Sequence, residues 1–181
     1  PLSLDTCTDL SVRLKKGEGK LSNPWPREAR ELLISLIGAG EAMVDIFESL
    51  DQEEIIFHWI PEWRGVRSLP QRNVLHRHTV DRHMVETAVS AAALTREVHR
   101  PDLLLFTALF HDIGKGTEED HSLRGETLIQ PLAARIGFNA SDIATGAPAP
   151  RTTASPSELR RPVACGCSDC RVWFGPPSTA R

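Results

Sequence analysis

Residues 101–110 constrain this chain more than any other stretch. Pro101 stands where a helix can start without losing a hydrogen bond, and Leu103, Leu104, Leu105, Phe106, Ala108, Leu109 and Phe110 follow. A helix that is apolar nearly all round must be covered by protein on every side. Such a segment belongs at the centre of a helical domain, and the rest of the chain has to supply its cover. The polar pair His111–Asp112 comes directly after it. Placed beside a core, these groups need partners, because an unsatisfied buried polar group costs roughly 1–3 kcal/mol or more.

The cover reads as helix too. Pro26 opens a segment with Leu32, Leu33, Leu36 and Ile37 as its apolar stripe, ended by Gly38 and Gly40. A second helix runs from about Glu41 to Leu50, with Met43, Val44, Ile46 and Phe47 inward, and a third, Glu53 to Trp59, stops at Pro61. Gly65 to Leu75 reads as a loop. Thr79 is a candidate N-cap for a long helix carrying Val80, Met84, Ala88, Ala91 and Ala92. Asp120 or Ser122 caps a last clear helix with Leu123, Leu128, Leu132 and Ile136, and Pro131 should bend it. Asn139–Asp142 looks like one more helix start. No alternating strand pattern and no repeat occurs, so the expected fold is all-α: a helical bundle over residues 24–143.

The flanks differ. Residues 1–23 end in Lys15–Lys16–Gly17–Glu18–Gly19–Lys20 and read as a linker. Residues 144–181 hold six Pro among many Ala, Arg, Ser and Thr (Pro148, Pro150, Pro156, Pro162, Pro176, Pro177), and read as an irregular or disordered tail. The close Cys165, Cys167 and Cys170 lack a fourth ligand nearby, which favours chance over a zinc site. The chain opens on Pro1 rather than Met, which suggests a trimmed or partial chain.

A net charge of −3 argues against broad nucleic-acid binding. No apolar run approaches the ~20 residues that span a bilayer, and no signal peptide opens the chain. The expectation is a cytoplasmic protein with reduced cysteines and no DNA or membrane partner.

The chemistry centres on His111–Asp112. Imidazole plus carboxylate suits Zn, Fe, Mn or a similar divalent ion. His83, on the preceding long helix, is a candidate third ligand. His121 can approach from the far side of the turn made by Gly114, Lys115 and Gly116, where the two glycines have a structural role. Lys115 is suited to a phosphate oxygen. A His–Asp doublet alone is more often a cap or a surface pair. The combination is what points to a site: a buried approach, a glycine stop, Lys115, and His on both sides. A metal there would offer hydroxide to a phosphorus centre, with Asp112, His121 and Lys115 as catalytic residues. His76, His78 and Arg82 either line the pocket and bind substrate or form a solvated loop and helix start. His58 and His99 read as surface residues, and Trp59 and Trp63 as packing.

These residues carry a resemblance. His83, then Ala108–Leu109–Phe110–His111–Asp112–Ile113–Gly114–Lys115, then Asp120–His121–Ser122 and Gly125 resemble the HD superfamily. With Pro70–Gln71–Arg72–Asn73, His76–Arg77–His78–Thr79–Val80–Asp81–Arg82–His83, the Leu32–Leu33 helix and Ile60–Pro61–Glu62–Trp63, they resemble more closely the HD domain of actinobacterial bifunctional uridylyltransferase/uridylyl-removing enzymes of the PII nitrogen-signalling protein. The resemblance covers roughly residues 10–143. It implies a divalent ion (Mg, Mn, Fe or Zn) on His83, His111 and Asp112, and removal of UMP or AMP from nucleotidylated PII. No Gly-Ser nucleotidyltransferase motif with paired Asp occurs here, and no ACT domain. His78 replaces an aromatic of the family. HD domains also take a last Asp ligand from a later helix, which should start near Ser141. The Pro-rich tail follows instead, with only Glu158 and Asp169 as later acids. The bundle is therefore expected to be incomplete at its C-terminal end, through truncation or a shifted frame, and to be one ligand short. The alternatives are an inactive remnant and an HD phosphohydrolase acting on free nucleotides.

Overall fold

The computed structural model describes residues 4–71, 78–117, 121–139 and 141–142. Among these, every regular element is helical: α1 (Leu4–Lys15), α2 (Arg27–Ile37), α3 (Ala42–Gln52), α4 (Ile56–Trp59), α5 (Val80–Ala92), α6 (Pro101–Phe110) and α7 (His121–Ile136), with short 3-10 turns at Pro61–Gly65 and Thr95–Glu97. The all-α expectation is met.

α6 is the axis of the fold. Its seven apolar residues, Leu103 to Phe106 and Ala108 to Phe110, are all buried. α5 packs along one side of it and α2 along another, while α3 backs α5. The α5 face turned inward is Val80, Met84, Val85, Ala88 and Ala91, and its alanines let the helix axes approach closely. Trp63 is 1% exposed and meets Phe47 and Phe110 edge-on, at centroid distances of 4.9 and 6.4 Å. It braces the end of α6 from below. Burying one large side chain of this kind contributes about 1.5–3 kcal/mol.

Three local expectations need correction. Residues 4–15, read as part of a linker, form α1. Its inner face is Cys7, Ser11 and Leu14, all 3% exposed or less, and Ser11 Oγ donates to Glu53 O at 3.0 Å. The i, i+4, i+7 spacing is there, but a small thiol and a hydroxyl carry it, so it is faint in hydropathy. On α2, Leu32 is 71% exposed and Ile37 fully buried. The core takes the side of Leu33 and Ile37, four residues apart, and Leu32 lies about 100° round from it. On α7, Leu123 is 67% exposed, whereas Leu132 and Ile136 are fully buried. That helix runs through Pro131.

The strap from Val66 to Gln71 is pinned to α5. Ser68 N–H donates to Asp81 Oδ2 at 2.7 Å, and Val80 N–H to Leu69 O at 2.9 Å. Gly116, at φ +102°, closes the strap's other side; a Cβ there would stand 2.7 Å from Gly65 O.

The helix start expected at Asn139 is built as a reciprocal cap. Asp142 N–H donates to Asn139 Oδ1 at 2.9 Å, and Asn139 N–H to Asp142 Oδ2 at 3.3 Å. Arg100, just before α6, pairs with both Asp142 and Asp102. The continuation beyond Asp142, the Pro-rich tail and its cysteines lie outside the described residues, as do His76 and Asp120.

Candidate metal centre

The packing of α5 on α6 decides this site. His83 sits on the first turn of α5, and His111 and Asp112 follow the last residue of α6. The two helices bring the three side chains together, with one donor atom from each lying within 4.8 Å of the others. His83 Nε2 and His111 Nε2 are 3.3 Å apart. Asp112 Oδ2 is 3.3 Å from His111 Nε2 and 3.8 Å from His83 Nε2. Two ligands each about 2.1 Å from one ion, at tetrahedral or octahedral angles, stand about 3.0–3.4 Å apart. This triangle has nearly that size.

His111 is preset for such a role. Its Nδ1 lies 2.8 Å from Ala108 O. A carbonyl only accepts, so Nδ1 carries a proton, and Nε2 is the nitrogen turned to the centre. Asp112 is 8% exposed. Burial alone would push its carboxyl up, but His111 and Lys115 outweigh that and hold it well below the usual carboxylate range. Its Oδ2 is buried and lacks a well-aligned hydrogen bond, although Lys115 Nζ is only 2.6 Å away. A buried anionic oxygen beside two imidazole nitrogens fits a divalent cation. The N₂O donor set suits Zn, Fe or Mn. Three protein ligands also leave coordination positions for water and substrate.

Of the other residues expected here, Lys115 joins the cluster directly. It bridges Asp112 Oδ2 and Gln71 Oε1, the latter at 3.3 Å. Gly114 allows α7 to begin against the turn: a Cβ there would stand 2.3 Å from His121 O and 2.4 Å from Gly125 N. This contact brings the His121 backbone beside the doublet, while the His121 side chain is exposed. His78 is exposed as well. Arg82 bonds to Glu86, at 2.8 Å, and to Glu48, tying α5 to α3. Asp142, at the start of the expected later helix, is engaged by Arg100 and its own cap, away from the three ligands. Trp63, read as packing, does pack, beneath Phe110. Sequence reasoning missed one participant, Gln71 as the partner of Lys115, because the two are 44 residues apart and no local signal joins them.

Residues 80–153 match the family model described as the HD domain. The chain is 53% identical over 132 residues to the bifunctional uridylyltransferase/uridylyl-removing enzyme of Streptomyces coelicolor, covering 73% of this chain and 16% of that protein. It is 46% identical over 133 residues to the protein of the same name from Mycobacterium tuberculosis, covering 74% and 16%. Against that of Corynebacterium glutamicum it is 32% identical over 125 residues, covering 69% and 18%. The chain thus spans about one sixth of the length of these curated relatives. No solved structure matches it.

Proposed function

The chain carries an HD domain, and on that premise we propose that its His83–His111–Asp112 centre is a divalent-metal phosphodiesterase site that removes a nucleotidyl group, UMP or AMP, from modified PII protein. The observation that carries the metal reading is the convergence of one donor atom each from His83, His111 and Asp112 within 4.8 Å of one another. The substrate rests on the names of the relatives and on the motif resemblance.

When bound, a divalent ion would supply Lewis acidity, lowering the pKa of water at the centre and polarising a phosphoryl oxygen. The chain's own residues do the rest. His83 and His111 turn their Nε2 atoms to the centre, and Ala108 O fixes the orientation of the His111 ring. Asp112 stays ionised through the neutral range and accepts a hydrogen bond from the attacking water, which orients it. Lys115 reaches past Asp112 as a cation for the charge that develops on the phosphoryl oxygens. His121, whose backbone lies beside Gly114 and whose side chain is exposed, would give a proton to the leaving oxygen. His78, which is exposed, and Arg82, which is held by Glu86 and Glu48, would bind the nucleotide or the PII protein. The protein works in the cytoplasm.

The test has two parts. Metal content of the purified chain should approach one divalent ion, and should fall sharply in His111→Ala. The metal-loaded chain should then release UMP or AMP from nucleotidylated PII. Hydrolysis of free nucleotides alone would reassign the site to a nucleotide phosphohydrolase. Metal binding without any turnover would mark an inactive remnant.

A further inference from the structure

Lys115 does not have Asp112 to itself. Its ammonium also donates to Gln71 Oε1 at 3.3 Å, and Gln71 is delivered by a strap that the fold holds at three points. Ser68 N–H is bonded to Asp81, Leu69 O accepts from Val80 N–H, and Gly65 O abuts Gly116. Two of these anchors lie at the start of the helix that carries His83, and the third lies in the turn that carries Lys115. The strap is therefore registered to both halves of the metal centre.

The row Asp112–Lys115–Gln71 has an unmet need at its outer end. At the inner end Asp112 Oδ2 is paired with the Lys115 ammonium at 2.6 Å. At the other end Gln71 Nε2 is a buried donor without an acceptor. The amide orientation is assigned by Lys115, which can only donate and so faces the oxygen. Buried donors are paired in nearly all native structures, so a donor left open beside a cationic side chain calls for an anion. Oε1 and Nε2 share one carboxamide carbon, so an oxyanion held by Lys115 lies within reach of both groups.

We propose that Gln71 is the phosphate-positioning residue of this centre. Its carbonyl oxygen shares the Lys115 ammonium with Asp112 and keeps it extended toward the substrate. Its amide N–H takes a phosphoryl oxygen that enters beside Lys115. The assignment rests on the phosphohydrolase reading above and adds to it a second phosphate contact, supplied by the strap before α5.

The experiment measures UMP binding by calorimetry, with and without Mn²⁺, for the full chain and for Gln71→Ala, Gln71→Met, Lys115→Ala and Gln71→Ala/Lys115→Ala. Thermal melts identify any variant that fails to fold, and Gln71→Met keeps the side-chain volume. Hydrolysis of bis(p-nitrophenyl) phosphate is followed in parallel. UMP affinity should fall about tenfold in both Gln71 variants, the loss expected for one hydrogen bond to a charged group. The double variant should bind UMP more weakly than Lys115→Ala, because the amide N–H of Gln71 meets the phosphate directly. A double variant that binds like Lys115→Ala would show that Gln71 only holds Lys115 in place, and would overturn the second phosphate contact. If Gln71→Met binds UMP like wild type while hydrolysis remains sensitive to His111→Ala, the Gln71 assignment is overturned and the hydrolase reading stands. If wild type hydrolyses nothing but both Gln71 variants still lose affinity, the hydrolase reading falls and the Gln71 site stands. If wild type binds no UMP, both are overturned.

Discussion

His83 and His111 are 28 residues apart in the chain, yet their Nε2 atoms face each other across 3.3 Å. At that spacing two neutral imidazoles can share one proton or one cation, and Asp112 supplies the negative charge that favours the cation. The close approach is a consequence of how α5 lies on α6.

Metal should therefore stabilise the fold. A ligand that binds only the native state adds about 2.7 kcal/mol at one hundred times its dissociation constant. Thermal melts with Mn²⁺ or Zn²⁺ should show a clear upward shift that a chelator reverses and that His83→Ala and Asp112→Asn lose. Equal shifts in wild type and His83→Ala would place the ion elsewhere.

The Arg100 cluster sets an acid limit on stability. The Arg100 guanidinium holds the carboxyls of Asp102 and Asp142 below their usual range. A carboxyl lowered on folding binds fewer protons in the native state, so its contribution is complete above the unfolded value of about 3.9 and is lost as pH falls through the folded one. Urea midpoints of the metal-free chain should drop from about pH 5 downward. In Arg100→Gln the neutral-pH stability should be lower and the acid limb flatter. Parallel wild-type and variant curves down to pH 3 would contradict this.

Gly114 and Gly40 should respond very differently to alanine. At Gly114 a Cβ would stand 2.3 Å from His121 O and 2.7 Å from Gly125 Cα, both backbone atoms that cannot move aside. Gly114→Ala should cost about 2–4 kcal/mol and shift α7 away from the doublet. Gly40, at φ +63° with nothing within 4 Å of its Cβ position, should cost only about 1–2 kcal/mol for the left-handed backbone. Denaturant titration of the two variants checks the order.

Trp63 braces Phe110 immediately before the doublet. Trp63→Ala should destabilise by about 3–5 kcal/mol as a core truncation. Because Phe110 adjoins His111, metal affinity should fall as well. Unchanged affinity in a folded Trp63→Phe or Trp63→Ala chain would show that the doublet is held by α6 alone.

Part of this protein is legible in its sequence. The uniformly apolar residues 103–110 demand a central helix, and Pro101 and Gly114 mark where the segment can begin and turn. The Asn139–Asp142 spacing spells out a helix start. These features depend on neighbours a few residues apart, where helical period and backbone chemistry act directly. The HD doublet, His83 and Lys115 also stand out, because polar groups beside an apolar segment need partners. Local pattern was less reliable at Leu32 and Leu123, since the choice of face depends on what lies opposite. α1 was missed because its buried face is a thiol, a hydroxyl and one leucine. Only the tertiary structure decided that His83 meets His111, that Gln71 shares Lys115, and that Arg100 captures Asp142. Each joins residues from separate elements, at sequence separations of 28, 44 and 42. No periodicity extends that far, so such contacts are set by how the helices pack around α6.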